Sequence, residues 1–367
     1  MLKAAIIGTG NIAFKHVRAL RHAGERAQIV AAVDIDADRA RAFCDQHDIP
    51  HSYTDMRQML AAQQPDLVHI CTPPSLHTAQ VIECLEAGAW VFCEKPLCAS
   101  LAEFDQITAA ENRTGRYAAS VFQNRYGAGG QHLKRLIEAG ELGRPLVGLC
   151  ETMWYRPQAY YDVPWRGKWA TETGGTTMIH GIHEIDLMLW LMGDWRELYA
   201  MMGTLDRAIE VDDVTMALVK LENEAMVSVV NSALSPRQET YLRLDFQQVT
   251  VELRHLYGYT NADWCYTLPE GSVDSGQLAR WQAIPDDAPS TQSSQLIPFL
   301  DAMTRGERPP VSGEDVRRTM EFLTALYKSA LTRQPVARGS IVPGDPFYHA
   351  MNGDLNRHDA AMLENRE

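Results

Sequence analysis

Residues 4–13 read AAIIGTGNIA, and this stretch decides the fold of the first part of the chain. A short apolar run, typical of a buried strand, leads directly into the pattern G-x-G-x-x-A. Gly8 permits a tight turn, Gly10 lets the backbone approach a pyrophosphate, and the small Ala13 allows the next helix to pack closely. The turn therefore predicts a dinucleotide site at a helix N-terminus. Its expected cofactor contacts are Gly8, Gly10, Asn11 and Ile12.

The carboxylate that closes the next predicted strand supports this interpretation. Asp34 ends the strand QIVAAVD (28–34), at the ~20-residue offset expected for a side chain that holds a ribose 2′-hydroxyl. It would repel a 2′-phosphate, and the following Ile35 and Asp36 offer no cation to receive one. The cofactor is therefore expected to be NAD rather than NADP. A glycine-rich turn in some other α/β protein is the alternative.

Strands and helices alternate through the first third of the chain. This order predicts a doubly wound parallel sheet with right-handed crossovers, the Rossmann arrangement. The predicted strands span residues 4–8, 28–34, 67–71, 90–93 and 117–122. The predicted helices span residues 12–23, 37–47, 77–87 and 101–114.

The pattern changes after about residue 124, where longer strands follow one another through short turns. This order predicts an α+β domain with a mostly antiparallel sheet. We therefore expect an NAD-binding domain at 1–123 and a second domain at 124–367. The second domain's predicted strands span 146–155, 198–202, 215–221, 225–233, 241–246 and 249–253. Its other predictions are helices at 132–140 and 314–332, an irregular region at 257–300 and a frayed tail beyond Gly353.

Composition narrows the possible partners of the chain. The 367 residues carry a formal net charge of −13 and contain no dense run of Lys and Arg, which argues against nucleic acid or an anionic membrane as a partner. No apolar run approaches the ~20 residues of a membrane span. The seven cysteines are odd in number and form no C-x-x-C pair, which suits a reducing cytoplasm.

The stretch WVFCEKPLC (90–98) carries a buried strand into charged residues. Ligands of parallel sheets lie beyond the carboxyl ends of the strands, so Lys95 is expected beside the cofactor. A solvated turn with a surface ion pair is the alternative for Lys95, and a packing role is the alternative for His77. The residues expected to meet the cofactor at these strand ends are Thr72, Pro73, His77, Glu94 and Lys95.

Alcohol oxidation needs a base for the hydroxyl proton and a cation for the developing alkoxide. Lys95 suits the cation, and His183 suits the base because an unperturbed imidazole has a pKa of about 6.5. His180, His183 and Asp186 recur every three residues and therefore lie near one face of a helix. The same spacing also suits a metal site or a purely structural start of a helix.

The segment YRPQAYYDVPWRGKW (155–169) combines aromatic rings with cationic side chains. Aromatic faces stack on sugars, and the cations can hold hydroxyls, a carboxylate or a sulfonate. A packed loop that closes over the cofactor is the alternative. A second aromatic cluster at 257–266 suits either a substrate wall or a subunit interface. The candidate substrate-binding residues are Lys95, Tyr155, Arg156, Arg166, Lys168, His180 and His183.

On these residues the chain resembles the Gfo/Idh/MocA family of oxidoreductases, named after glucose–fructose oxidoreductase, inositol dehydrogenase and MocA. The resemblance spans nearly the whole chain, and its specificity comes from several motifs in one order. The matching pieces are GTGNIA at 8–13, CTPPSLH at 71–77, CEKPL at 93–97, WR at 165–166, GGTTMIHGIHEIDLMLWLMG at 174–193 and DVRRTMEFLTALYKSALT at 315–332.

The resemblance implies specific roles for several residues. Lys95 would contact the substrate hydroxyl and the nicotinamide ribose, and His183 would be the acid/base. Gln123 matches a position near the nicotinamide, and Trp165 and Arg166 match a loop that reaches the cofactor from the second domain. The second domain would carry a large open sheet that builds dimers or tetramers.

One departure from the family pattern concerns the proton relay. Many members carry an aspartate four residues before the acid/base histidine, where this chain has Ile179 followed by His180. Either His180 takes over part of the aspartate's role, or the relay is rebuilt.

These observations together predict an NAD-dependent oxidoreductase that acts on a hydroxyl of a sugar, polyol or sugar derivative. We expect a cytoplasmic homodimer or homotetramer with no metal, nucleic acid or membrane partner. One alternative is a glycoside-cleaving enzyme that uses NAD in a transient oxidation–elimination–reduction cycle. The other is a regulatory protein that binds NAD without turnover.

Overall fold

The structure is a computed structural model, and it describes residues 1–272 and 275–354. The chain forms two compact units. The first comprises Met1–Phe122 and Thr291–Arg317, and the second comprises Gln123–Ser290 and the chain from Arg318 onward. The frayed tail expected beyond Gly353 lies almost entirely outside the described residues.

The first unit is built on a six-stranded parallel sheet in the order β3-β2-β1-β4-β5-β6, which confirms the doubly wound prediction. Its strands are β1 (Leu2–Ile7), β2 (Ala27–Val33), β3 (His51–Tyr53), β4 (Leu67–Ile70), β5 (Trp90–Cys93) and β6 (Ala118–Ser120). Its helices are α1 (Ala13–His22), α2 (Ala37–Gln46), α3 (Met56–Gln63), α4 (His77–Glu86), α5 (Leu101–Thr114) and α10 (Gln292–Arg305). The strand order reverses between β1 and β4, where ligands of such sheets bind.

The predicted boundary between the domains is wrong for Thr291–Arg317, which belongs to the first unit. Helix α10 packs on α1 and buries Leu296, Phe299 and Leu300 in the first unit's core. The ring of Phe299 packs edge to face on the ring of Phe92, and the two ring centroids lie 5.5 Å apart. A local pattern cannot reveal this return, because the partners of α10 lie about 200 to 280 residues earlier in the chain.

The second unit is built on an eight-stranded sheet in the order β13-β12-β11-β7-β10-β9-β8-β14. All neighbours are antiparallel except the parallel pair β7 and β10, so the mostly antiparallel prediction is confirmed. The strands are β7 (Pro145–Tyr155), β8 (Trp195–Gly203), β9 (Val214–Leu221), β10 (Met226–Ser232), β11 (Leu234–Phe246), β12 (Thr250–His255), β13 (Trp264–Thr267) and β14 (Val336–Ala337).

The second unit also contains helices, which pack with the sheet. They are α6 (Ala128–Glu138), α7 (Trp169–Glu172), α8 (Ile182–Met192), α9 (Ser275–Gln282), α11 (Glu314–Thr332), whose first turn belongs to the first unit, and α12 (Pro346–His349). A π-helical turn, Thr177–Gly181, runs directly into α8. Strand β13 and helices α9 and α10 correct the expectation that 257–300 is irregular. The first two are only four and eight residues long, and Pro298 lies inside α10, so none of the three gives a clear helix or strand signal.

The sheet of the second unit has one buried and one exposed face. Along β9 the buried Thr215, Ala217 and Val219 alternate with the exposed Met216 and Leu218, as the period of a strand requires. In the described residues no helix is long and apolar enough to cross a membrane.

Candidate active site

The glycine turn after β1 has the geometry of a pyrophosphate cradle. Gly8 has φ +89°, and a Cβ at this position would lie 2.8 Å from the carbonyl carbon and oxygen of Cys71. A Cβ at Gly10 would meet no heavy atom of the described residues within 4 Å, so the space in front of this backbone is open. Helix α1 begins three residues later, and its first turn, where the backbone amides have no partner within the helix, carries no acidic residue. The turn therefore fits a dinucleotide phosphate at a helix N-terminus.

Asp34 stands at the carboxyl end of β2 and holds the glycine turn in place. Its Oδ2 accepts the Thr9 backbone amide at 3.0 Å and the Thr9 hydroxyl at 2.9 Å. Burial by itself would raise the pKa of Asp34, but hydrogen bonds from Arg39, Thr9 and Asp36 outweigh it and lower the pKa to about 2. The carboxylate is therefore ionised at neutral pH and suits a ribose hydroxyl.

Arg39 is a residue of this site that the sequence analysis missed. Its Nε and Nη2 donate to the two Asp34 oxygens at 3.0 and 2.5 Å. Asp36 caps α2 by accepting the Asp38 and Arg39 amides, and this cap turns Arg39 back toward Asp34. Because Asp34 already takes up this guanidinium, the pair is consistent with NAD as the cofactor. The cap sequence D-x-x-R was the available signal.

His77 joins the two loops that follow β4 and β5. Its Nδ1 lies 2.6 Å from the Pro96 carbonyl and its Nε2 lies 2.8 Å from the Thr72 carbonyl. The side chain is fully buried, which lowers the pKa of His77, while the two carbonyls oppose this shift. His77 therefore fixes one loop to the other, and its contact with the cofactor stays a prediction.

A buried chain of polar side chains lies beneath Lys95. The peptide bond between Lys95 and Pro96 is cis, and Lys95 itself is half-buried. Glu94 turns inward and accepts a hydrogen bond from His16 Nε2 at 3.0 Å. The Nδ1 atom of His16 lies 2.8 Å from the Nδ1 of His69, and burial lowers the pKa of His69 well below its usual value. The sequence analysis missed both histidines, because each reads as a lone polar residue on an apolar element.

In the second unit, the turn that precedes α8 is anchored by one buried carboxylate. Asp212 Oδ1 accepts the Gly175 amide at 2.8 Å, and its Oδ2 accepts the Thr177 amide at 3.1 Å and hydroxyl at 2.8 Å. Tyr327 also donates to Oδ1 at 2.9 Å. A Cβ at Gly175 would lie 1.9 Å from the Asp212 carbonyl oxygen, so only glycine fits there. These contacts set the start of the segment that carries His180 and His183.

Asp186 has a structural role: its carboxylate binds side chains of other elements and does not face His180 or His183 as a shared metal ligand. Its two oxygens accept Arg125 Nε and Nη2, each at 2.6 Å, and Thr319 donates to it at 2.8 Å. All three side chains are buried. Within the described ranges no group of three or more His, Cys, Asp or Glu side chains forms a metal site.

Arg156, Arg166 and His180 come together around Tyr160. The Arg166 guanidinium carbon lies 3.9 Å from the Tyr160 ring centroid, and the Arg156 carbon lies 5.3 Å from it. His180 Nε2 lies 3.4 Å from the Tyr160 hydroxyl. Burial raises the pKa of Tyr160, so its phenol stays neutral. The structure thus forms a cationic and aromatic cluster from three residues that the sequence analysis named as candidates, together with Tyr160 of the aromatic segment 155–169.

The other candidates of the second unit are dispersed. Gln123 is buried, and its Oε1 has no hydrogen-bond partner among the described residues. His183 is half-buried in the first turn of α8. Tyr155 is 40 % exposed with its ring 5.3 Å from the Arg207 guanidinium, and Lys168 is exposed just before α7. The Trp165 ring lies 4.4 Å from the Arg166 guanidinium carbon.

The fold and the glycine turn define the class of protein, a dinucleotide-dependent oxidoreductase with a Rossmann unit. Two family models match the chain: residues 2–122 match "Oxidoreductase family, NAD-binding Rossmann fold", and residues 131–253 match "GFO/IDH/MocA C-terminal domain". Together the two matches span most of the chain. The protein therefore belongs to the Gfo/Idh/MocA family, and it is an NAD-dependent oxidoreductase that acts on CH–OH groups.

Three similar proteins illustrate this relationship. D-apiose dehydrogenase of Paraburkholderia graminis is 28 % identical over 89 % of this chain and 87 % of its own. Inositol 2-dehydrogenase of Salmonella typhimurium is 31 % identical over 53 % of this chain and 55 % of its own. The crystal structure of the WlbA dehydrogenase from Bordetella pertussis, in complex with NADH and UDP-GlcNAcA, has a TM-score of 0.81 and 26 % identity, covering 92 % of this chain and 98 % of its own.

Proposed function

We propose that this chain oxidises a hydroxyl of a sugar, polyol or sugar derivative, with Lys95 and His183 in the proton-transfer site. The observation that carries the proposal is the position of Lys95. It follows β5 directly, at the carboxyl edge of a parallel NAD-binding sheet, which is the edge where such sheets bind their ligands. That His183 acts on the same hydroxyl rests on the family resemblance of the segment 174–193.

The proposed chemistry divides between the two side chains. Bound NAD⁺ supplies the acceptor for the hydride that leaves the substrate carbon. His183 takes the hydroxyl proton, and the Lys95 ammonium stabilises the negative charge that develops on the oxygen. The buried Glu94, which is bonded to His16, accepts the Lys95 backbone amide at 3.3 Å and so supports the backbone from which Lys95 projects.

The proposed cofactor contacts come from the glycine turn, from the end of β2 and from the loops that follow β4 and β5. Gly8, Gly10, Asn11 and Ile12 would hold the pyrophosphate, and Asp34 would hold the adenine ribose. Thr72, Pro73, His77 and Glu94 belong to the loops at the strand ends and complete the proposed nicotinamide side. Gln123, with its buried Oε1, and Trp165 with Arg166 are proposed as further contacts from the second unit.

The proposed substrate class is supported by similar proteins. D-apiose dehydrogenase and inositol 2-dehydrogenase are named for a sugar and a cyclic polyol. The WlbA dehydrogenase was crystallised with a nucleotide-linked sugar acid. The cluster around Tyr160 supplies aromatic faces and cations of the kind that hold such molecules.

The test is a panel of sugars, polyols, sugar acids and glycosides, with NADH absorbance and substrate consumption followed together. Wild type is compared with Lys95→Ala and His183→Ala, and the exposed Lys3→Ala and His22→Ala serve as controls. We expect each site variant to lose about 10²–10⁴-fold in kcat, the usual contribution of a positioned acid or base. NAD affinity, measured by calorimetry, should stay within a few-fold of wild type.

Other outcomes would redirect the proposal. Loss of a glycoside without accumulation of NADH would assign a transient oxidation–elimination–reduction cycle. Tight NAD binding with no turnover on the whole panel would favour a regulatory protein. Site variants that keep wild-type turnover would show that the proton-transfer site lies elsewhere.

We further propose that the chain forms a homodimer or homotetramer through the exposed face of its second sheet. Large apolar side chains stand on neighbouring strands of that face, where Met201 pairs with Met216 and Tyr199 with Leu218. Their exposed fractions reach 68 % for Met201 and 64 % for Leu218. Such a patch is typical of an interface between copies. Sedimentation of wild type against Met201→Glu tests this, and a wild-type monomer at micromolar concentration would disprove it.

A cytoplasmic location is also proposed. Six of the seven cysteines are buried as thiols, which suits a reducing compartment. Fractionation of cells that express the tagged protein tests this proposal.

A further inference from the structure

Arg156 is a cation that forms no ion pair with any residue that the structure describes. It follows β7 directly, and its guanidinium carbon lies 4.7, 5.3 and 5.9 Å from the ring centroids of Trp154, Tyr160 and Tyr257. Through the described part of the chain, no Asp or Glu oxygen lies within 4.0 Å of its nitrogens. Arg166, on the other side of Tyr160, differs because it pairs with the buried Glu172 at 3.3 Å.

The hydrogen-bond partners of the Arg156 guanidinium in the described ranges are neutral acceptors. Its Nη1 donates to the Tyr155 carbonyl at 2.9 Å and to Gln238 Oε1 at 3.4 Å. Its Nη2 lies 3.4 Å from the Tyr257 hydroxyl, and its Nε donates to His180 Nε2 at 3.3 Å. Three of these four contacts are near the upper limit for a hydrogen bond, so a charged acceptor would displace them at little cost.

His180 does not cancel or add to this charge. A guanidinium can only donate, so the Nε2 atom that accepts from Arg156 must carry a lone pair. The imidazole is therefore neutral, with its Nδ1 near the Thr176 hydroxyl at 3.3 Å. With Arg166 neutralised by Glu172 and the Tyr160 phenol kept neutral by burial, the cluster carries a single uncompensated positive charge.

We propose that Arg156 binds the carboxylate of a sugar acid and thereby selects the substrate of the proposed dehydrogenase. A carboxylate is a planar monoanion, so it matches both the forked geometry and the single charge of the cluster. A phosphate monoester carries a second negative charge at pH 7, for which the cluster has no cation. The three rings partly cover the half-buried guanidinium, which favours its pairing with an anion over full hydration.

The position of the cluster links it to the proposed reaction. His180 lies in the π-helical turn, and His183 lies three residues later in the first turn of α8. Side chains three residues apart on a continuous helical segment are neighbours, and a sugar ring spans the distance between such neighbours. The carboxylate would therefore lie on one side of the ring and the reacting hydroxyl on the other. The position of the reacting hydroxyl rests on the proposed function, whereas the carboxylate contact of Arg156 does not.

The experiment compares sugar acids with their neutral partners of the same stereochemistry. Calorimetry measures the binding of D-glucuronate and D-glucose, D-galacturonate and D-galactose, and D-mannuronate and D-mannose to the NAD-saturated protein. Each pair is measured with wild type, Arg156→Met, Arg156→Lys and the control Arg196→Met, which removes an arginine from the surface of β8. D-glucose 6-phosphate and sulfoquinovose test the two other anions.

We expect at least one acid to bind about 10–100-fold more tightly than its neutral partner, as a charge-assisted pair implies. Arg156→Met should abolish this preference, Arg156→Lys should keep part of it, and Arg196→Met should leave it unchanged. The preference of wild type should also fall as NaCl rises from 20 to 300 mM, a measurement that does not depend on any variant.

Three results would overturn the inference. The first is that no acid of the panel binds more tightly than its neutral partner. The others are that the phosphate or sulfonate sugar binds more tightly than every carboxylate, or that Arg156→Met still binds the acid more tightly than the neutral sugar. NADH formation from a neutral sugar, lost in Lys95→Ala, together with any of these three results, would keep the proposed function while disproving the acid subsite. Tight binding of an acid that is never oxidised would keep the acid subsite while disproving the proposed function.

Discussion

The glycine turn of the first unit and the histidine segment of the second unit hold their groups by different means. In the turn, the proposed ligand contacts are backbone amides, and the carboxylate that supports the turn, Asp34, lies 25 positions from Thr9. In the histidine segment, the groups are side chains. Their supports come from 35 positions away in Asp212, and Asp212 in turn binds Tyr327, 115 positions further on. A backbone site is therefore a local property, whereas a side-chain site depends on the whole unit.

The largest expected effect tests how far the histidine segment depends on remote partners. Arg125→Met leaves Asp186 buried and without its cation, so it should lower the free energy of unfolding by about 3–5 kcal/mol. Urea denaturation followed by circular dichroism measures this change. The double variant Arg125→Met/Asp186→Leu should recover part of the loss. A loss below 1 kcal/mol for the single variant would mean that this pair does not anchor α8.

The glycine turn can be divided into a folding role and a binding role. Gly8→Ala places a Cβ at φ +89° against the Cys71 carbonyl, so it should lower stability by more than about 2 kcal/mol. Gly10→Ala meets open space and should leave the melting temperature within 2 °C of wild type. It should nevertheless weaken NAD binding at least ~10-fold, because the methyl group blocks the pyrophosphate. Equal effects of the two variants on stability would contradict this division.

Replacement of Asp34 tests the side chain that is proposed to hold the adenine ribose beside the glycine turn. Asp34→Asn should raise the Kd for NAD about 10–100-fold, since a charged acceptor is replaced by a neutral one. Asp36→Asn keeps the helix cap and is the matched control. Because the pKa of Asp34 is lowered to about 2, its ionised form stabilises the fold above about pH 4, and this stabilisation is lost as the pH falls toward 2. NAD affinity limited by a group with a pKa between 5 and 8 would assign the ribose contact to another residue.

The smallest expected effect concerns Arg39. Its side chain is 51 % exposed, so the pair with Asp34 is screened by solvent. Arg39→Ala should raise the pKa of Asp34 toward its usual value and change the Kd for NAD by less than ~5-fold. Titrations at low and high salt measure this, and a loss as large as that of Asp34→Asn would make Arg39 a direct cofactor contact.

Elements with strong periodicity and clear end signals were predictable from the sequence. Strand β5 and helices α5 and α11 have the predicted bounds. Helix α5 starts at the cap Ser100 and ends before Gly115, whose φ of +63° few other residues adopt. Strand β3 and helix α3 were missed, because β3 is three residues long and exposed to solvent over most of its length.

Residues that act in pairs across the chain were not predictable. His16 and His69 contact each other 53 positions apart, and Arg156 meets Tyr257 101 positions away. Each of these side chains has an ordinary local context, so its partner becomes evident only when the strands and helices have packed.

The sequence by itself determined the parallel sheet, the glycine turn after β1 and the presence of Lys95 at a strand end, because each follows from a contiguous pattern of residues. The tertiary structure alone decided that α10 joins the first unit, that Asp186 binds Arg125, and that Arg156 stands among three rings with neutral acceptors. The physical reason is range. Backbone conformation is set within a few residues, whereas the charge balance of a buried side chain depends on every element packed around it.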